Sequence, residues 1–113
     1  MKWLTLGTVG ACMVGLLLPT CLWAAQWARN PDQPGQWVDL SSRKHDDEVV
    51  HFNISLGTDS DSGQPSTTDD DLAVEILNCI SGKRVMVMPM LGNQTRHLPD
   101  LGEDDPLRRL ICN

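Results

Sequence analysis

Val49-Val50-His51-Phe52-Asn53-Ile54-Ser55-Leu56 is the stretch on which the fold turns. From Val50 onward the even positions are apolar, while His51, Asn53 and Ser55 are polar. A period of two is what a strand buried on one face requires, because successive side chains point to opposite sides of a sheet. A strand is therefore expected over residues 48–56. Upstream, Gln36-Trp37-Val38-Asp39-Leu40 alternates in the same way and makes a hairpin with it. Ser41 to Asp47, between them, is polar and turn-like. Gln26-Trp27-Ala28-Arg29 reads as a short first strand, closed by the turn signals Asn30-Pro31 and Pro34-Gly35.

Downstream, residues 57–71 hold only Gly, Pro and polar residues and are expected to form a flexible acidic surface loop. Within it, Asp59-Ser60-Asp61-Ser62-Gly63 has the look of half a calcium loop. It lacks the correctly spaced glycine and the terminal Glu, so it is read as a solvated loop. Leu72 to Ile80 gives another strand, with Ala73, Glu75, Leu77 and Cys79 on one face and Leu72, Val74, Ile76 and Ile80 on the other. Ser81-Gly82-Lys83 is a tight turn. A strand over Arg84 to Leu91 follows, with Val85, Val87 and Pro89 alternating against Met86, Met88 and Met90. The methionines read as an apolar sheet face rather than a soft-metal stripe, since no Cys or His stands beside them. Pro89 marks an edge or a bulge. Gly92 to Gly102 is expected to be irregular. Asp104-Asp105-Pro106 then opens a helix, with Leu107, Leu110 and Ile111 on one face and Arg108 and Arg109 on the other.

The N-terminal segment reads as a targeting signal. Lys2 precedes an apolar run, Leu4 to Leu18, that is too short for a permanent span, and Ala24-Ala25 supply small residues for cleavage. Residues 1–24 are expected to be a signal peptide cut after Ala24. A lipid anchor at Cys21 is the alternative, disfavoured because Leu18-Pro19-Thr20 lacks the small residue that a lipobox needs. The expected destination is the periplasm, the cell envelope or the medium, with no stable membrane span after processing. Residues 25–113 then form one small domain carrying eight basic and fifteen acidic residues. Such an acidic balance excludes nucleic acid as a natural partner.

A domain of this size has a small core, and this one holds one Phe, two Trp and no Tyr. Cys79 and Cys112 are the cysteines it retains. In an oxidising compartment they are expected to pair, closing a loop of about 33 residues worth roughly 3–4 kcal/mol. Two free thiols, or a metal site, are the other readings; the second lacks a CxxC or HxxxH partner pair. The fold class that follows is α+β. It comprises an antiparallel sheet of about five to six strands and a C-terminal helix packed on one face and tethered by the disulfide.

Together these features resemble the surface-adhesin protein E-like family of small bacterial envelope proteins. The resemblance rests on Trp27, on Trp37-Val38-Asp39-Leu40-Ser41-Ser42, on Val49-Val50-His51-Phe52, on Glu75-Ile76-Leu77-Asn78-Cys79, on Lys83-Arg84 and on Ile111-Cys112. It implies an antiparallel sheet with a disulfide-tethered terminal helix, and an adhesin-like binding role with a protein or envelope partner, often as a homodimer. No catalytic residue, cofactor or metal is expected. His45, His51 and His97 carry no motif around them, and no nucleophile elbow is present. Asn53-Ile54-Ser55 and Asn93-Gln94-Thr95 match glycosylation sequons, which would matter in a eukaryotic secretory pathway. The function expected is that of a non-catalytic exported envelope protein. The alternative is a small secreted inhibitor or accessory protein that engages an extracytoplasmic enzyme through the 57–71 loop.

Overall fold

Val50, Phe52 and Ile54, the even positions of the alternating stretch, are each 1% exposed, while His51 and Asn53 face solvent. The computed structural model describes residues 25–113, so the expected leader, its cleavage after Ala24 and a lipid on Cys21 fall outside the described residues. Seven strands form one antiparallel sheet. They are β1 (Trp27–Arg29), β2 (Trp37–Asp39), β3 (Lys44–Asp46), β4 (Val49–Ser55), β5 (Leu72–Asn78), β6 (Arg84–Met88) and β7 (Gln94–Leu98). The order is β1-β2-β4-β5-β6-β7, with β3 also paired to β4, and a helix, α1 (Pro106–Cys112), follows the last strand.

One face of the sheet holds the core. Val38, Val50, Phe52, Ile54, Ala73, Leu77 and Met86 meet Leu101 and the helix residues Leu107 and Ile111 there. The helix is short, and its start is fixed locally: the Asp105 carboxylate caps it by accepting from the Leu107 N–H at 2.8 Å, and Pro106 takes the first position. A disulfide joins Cys79, just past β5, to Cys112 across a Cα–Cα distance of 5.8 Å. The expected architecture of sheet, helix and tether is the one observed.

Five details differ from expectation. Lys44 to Asp46 is a strand rather than a turn, and Gln94 to Leu98 is a strand within the segment expected to be irregular. Neither buries one face, so neither has an apolar alternation to betray it; backbone pairing alone makes them strands. The β6 strand stops at Met88. Pro89 opens a 3-10 turn, Pro89–Leu91, that leaves Met90 and Leu91 more than half exposed, so the methionine series is cut short. Likewise β5 ends at Asn78, leaving Cys79 and Ile80 in a turn, with Ile80 exposed. Finally, Arg108 is buried on the same side as Leu107 and Ile111. Its guanidinium donates to the carbonyls of Leu101, Cys79 and Ile80 at 2.8–2.9 Å. These bonds tie the helix to the turn after β5 and to the Leu101 segment, whose carbonyl is buried.

The Trp37–Ser42 segment shows why its residues are what they are. Strands β2 and β3 pair with the same side of β4, but three residues, Leu40–Ser42, are looped out between them as a 3-10 turn. The Ser42 hydroxyl fills the resulting gap: it accepts from the Asn53 N–H at 2.8 Å and donates to the Asp39 carbonyl at 2.7 Å. A side chain thus carries a ladder connection that the backbone cannot reach. The buried Asp39 carboxylate accepts from the N–H groups of Gln26 and Ser41 and from the Ser41 hydroxyl, tying the start of the domain to this turn.

Residues 57–71 are drawn together at their base. The Ser55 hydroxyl lies 2.6 Å from the Ser66 carbonyl, and the Ser66 hydroxyl donates to Asp71 at 2.6 Å. Trp37 donates from its indole to the Thr58 hydroxyl at 2.9 Å, while Arg29 stacks 4.7 Å from the Trp37 ring.

Candidate functional site

An acid on the buried face of a central strand is the least expected group in the domain. Glu75 alternates with Ala73 and Leu77 on the core side of β5 and is 1% exposed. Its cross-strand neighbour on β6 is Met86, and Arg84, two residues earlier on the same face, brings a second buried charge. The Arg84 guanidinium is held firmly elsewhere: it donates to Asp32 in the β1–β2 connection at 2.8 Å and to the Pro99 carbonyl at 2.8 Å. Glu75 Oε2 stands 3.6 Å from Arg84 Nη1, an ion-pair separation too long for a hydrogen bond, and finds no hydrogen-bond partner. One arginine therefore faces two carboxylates and bonds only one of them.

The electrostatics follow. Burial pushes the Glu75 carboxyl up from 4.5 to about 7, the Arg84 charge offsets part of that rise, and the nearby Asp32 charge adds to it. Above Glu75 lies a cavity of about 190 Å³ between the 30–36 connection and β6–β7, with Asn30, Gln33, Gln36 and Arg96 at its polar wall. Its chemistry is that of a hydrogen-bonding recess with acid on one side and guanidinium on the other.

The opposite face of the sheet has no covering element among the described residues. Val74 and Ile76 on β5 pair laterally with the outward residues of β6, Val87 and Val85, and with Leu72 they form a half-buried apolar stripe. At one end lies a cleft of about 350 Å³ lined by Trp27, Leu72, Val74, Pro89 and Met90. At the other lies a wider one of about 540 Å³ lined by Val49, Ile76, Val85 and His97. Beside the stripe, β7 is the sheet's outer strand, and Gln94 to His97 are exposed along it.

Of the residues weighed from sequence, Cys79 and Cys112 are brought together as a disulfide. The histidines are not brought together. His51 and His97 share the open face but are separated by Ile76 and Val85 across three strand spacings, roughly 14 Å. His45 stands opposite Val50, in the register that points away from both. No group of three or more metal-ligating side chains occurs among the described residues. The Asn53 sequon lies in mid-strand, with Ser55 fully buried, whereas Asn93 is exposed in a turn at φ 59°. The Asp32–Arg84–Glu75 cluster escaped sequence reading as a unit. Its available signal was charge at positions in register with Leu77 and Met86. Comparison of the chain with protein-family models, with curated proteins and with solved structures gives no match.

Proposed function

We propose that this chain is a non-catalytic exported envelope protein that binds another polypeptide at the β7 edge and the open face beside it. One observation carries the reading: a five-residue outer strand with unpaired backbone groups adjoins an uncovered apolar stripe. Edges of this kind accept an added strand, whose main chain gives affinity and whose alternate side chains enter pockets on the sheet face. Charge selects the occupant. In a chain of net charge −6, β7 carries Arg96 and His97 and no acid. The fitting partner is an extended segment alternating acidic and apolar residues. A second copy pairing edge to edge about Arg96 would set like charges opposite one another. Extracytoplasmic placement, the adhesin-like role and the resemblance to surface-adhesin protein E-like proteins belong to this same reading, supported by the sheet, helix and tether.

The test uses a synthetic peptide of alternating Glu and Val, followed by fluorescence anisotropy and amide exchange. Saturable binding with new protection at residues 94–98, lost in Val87→Asp, is expected. Absence of binding, or a homodimer whose own contact already protects those amides, would overturn the proposal.

One observation favours the second reading, an inhibitor or accessory of an extracytoplasmic enzyme. The acidic 57–71 segment is pinned at its base by Ser55, Ser66 and Asp71, which presents Asp59 and Asp61 on a braced turn. A photo-crosslinker at Asp61 that captures a partner missed from Thr95 would favour it.

A further inference from the structure

Charges around the Glu75 cavity sum to zero, yet they are not all paired with one another. Asp32 and Arg84 neutralise each other through their 2.8 Å contact. That leaves the Glu75 carboxylate without a hydrogen-bonded counter-charge on the inner wall. On the outer wall stands Arg96, the other guanidinium lining the cavity. The register fixes their separation: Glu75 pairs with Met86, and Met86 pairs with Arg96, so the two lie on one face two strands apart, roughly 10 Å between backbones. Both residues line the cavity with Met86 between them. The space there is flanked by an acid at one end and a guanidinium at the other, and it suits a molecule that is positive at one end and negative at the other. The remaining lining suits such a molecule. Asn30, Gln33 and Gln36 offer amides, and Ile54, Leu98 and Pro99 offer apolar surface. At about 190 Å³ the cavity falls below the roughly 300 Å³ at which drug-sized sites begin, so the occupant is small.

We propose that this cavity is a binding site for a free α-amino acid, with the ammonium group on the Glu75 carboxylate and the carboxylate on Arg96. Bound this way, every charge in the recess has a partner: Asp32 with Arg84, Glu75 with the ammonium, Arg96 with the carboxylate. The geometry differs from that of the polypeptide surface proposed above, since the cavity opens on the core side of the sheet, and either proposal can fail without the other.

A pH dependence follows. The charged groups facing Glu75 are Arg84 and Asp32 on the inner side and Arg96 across the cavity; the other lining residues carry no charge. Glu75 must be ionised to hold an ammonium group, and burial keeps its proton on until about pH 7. Affinity for an amino acid should therefore rise as pH increases through 7, and the bound ligand should lower the Glu75 titration midpoint in return.

The experiment is an NMR titration of the disulfide-bonded protein with L-alanine, L-serine and L-leucine at pH 6 and pH 8. The Glu75 side-chain carboxyl and the arginine Nε–H groups report binding. Lactate supplies the carboxylate alone and ethylamine the ammonium alone. At least one amino acid should bind saturably, more tightly at pH 8, and about tenfold more tightly than either half-ligand. Glu75→Gln should lose both the affinity and its pH dependence, while Arg96→Gln should lose affinity and keep the pH dependence. Arg96 is exposed, so its variant decides the matter should Glu75→Gln fold poorly. Several outcomes would overturn the proposal: no saturable shift at tens of millimolar, equal binding of lactate or ethylamine, or undiminished binding in Arg96→Gln.

Discussion

Arg108 and Cys112 both tie the helix to Cys79: the Arg108 guanidinium donates to the Cys79 carbonyl at 2.9 Å, and the Cys112 sulfur is bonded to the Cys79 sulfur. The hydrogen bond binds the helix to the backbone of the turn, and the disulfide binds it through a side chain. A seven-residue helix is far too short to persist by its own propensity, so these links and the burial of Leu107 and Ile111 set its stability. Replacing Cys79 and Cys112 by Ser should lower stability by roughly 2–4 kcal/mol. The helix should nevertheless remain docked, since Arg108 still holds it. Urea unfolding together with helical amide exchange would check both parts.

Arg108→Met removes the three donations but preserves the apolar stem. It should cost about 2–4 kcal/mol, because the carbonyls of Leu101, Cys79 and Ile80 lose charged donors together. Combined with the double Ser variant, the effects should exceed their sum, since each link limits the motion that the other would otherwise suffer. A double-mutant cycle in urea measures this coupling.

Glu75 sets a pH dependence of definite sign. Its folded pKa, about 7, lies above the unfolded value of 4.5, so the native state holds a proton that the unfolded chain releases. The stabilisation is fully present below about pH 4.5 and is lost as pH rises through 7. Glu75→Gln should abolish that slope and, at pH 8, exceed the parent in stability by up to about 3 kcal/mol. Denaturant midpoints at pH 5 and pH 8, taken as the difference between the two proteins, isolate the effect from the other carboxylates.

At the split between β2 and β3, Asp39→Ala should be costlier than Ser42→Ala. Asp39 is buried and serves three donors, whereas Ser42 bridges Asn53, whose surroundings are open to water. About 2–3 kcal/mol is expected for the first and about 1 kcal/mol for the second. Thermal unfolding of the two variants side by side tests the order.

Gly82 has φ +80°, and a side chain there would run into the Leu101 carbonyl, with Arg108 close behind. Gly82→Ala should therefore disturb the turn, the Leu101 segment and the helix together, at a cost of several kcal/mol. Loss of amide protection at Leu101 and Arg109, measured by exchange, would confirm that these elements move as one.

What could be read from the chain beforehand follows from where burial leaves a trace. Strands β4 and β5 bury alternate residues, so their apolar positions announce both the strand and its inner face, whereas all three residues of β2 are buried. Strands β3 and β7 bury nearly nothing; Lys44-His45-Asp46 and Gln94-Thr95-Arg96-His97 look like loops because hydrogen bonding alone holds them. Arg108 reads as solvent-facing for a related reason, since nothing local in the sequence reveals the carbonyls that its guanidinium meets. The Glu75 cluster joins residues from the first connection and from two central strands. No local pattern links Asp32 to Arg84, and only the folded sheet places them together.

The position of the helix has a consequence for how the molecule is made. All seven described strands precede α1 in the chain, yet the inner face of the sheet is sealed by Leu101, Leu107 and Ile111, which follow them. A polypeptide threaded N-terminus first through a narrow pore would emerge with Phe52, Ile54 and Leu77 still bare until those late residues arrived. On the exported reading proposed above, premature closure on the near side of the barrier is discouraged, and the Cys79–Cys112 bond would be the latch that records a finished passage.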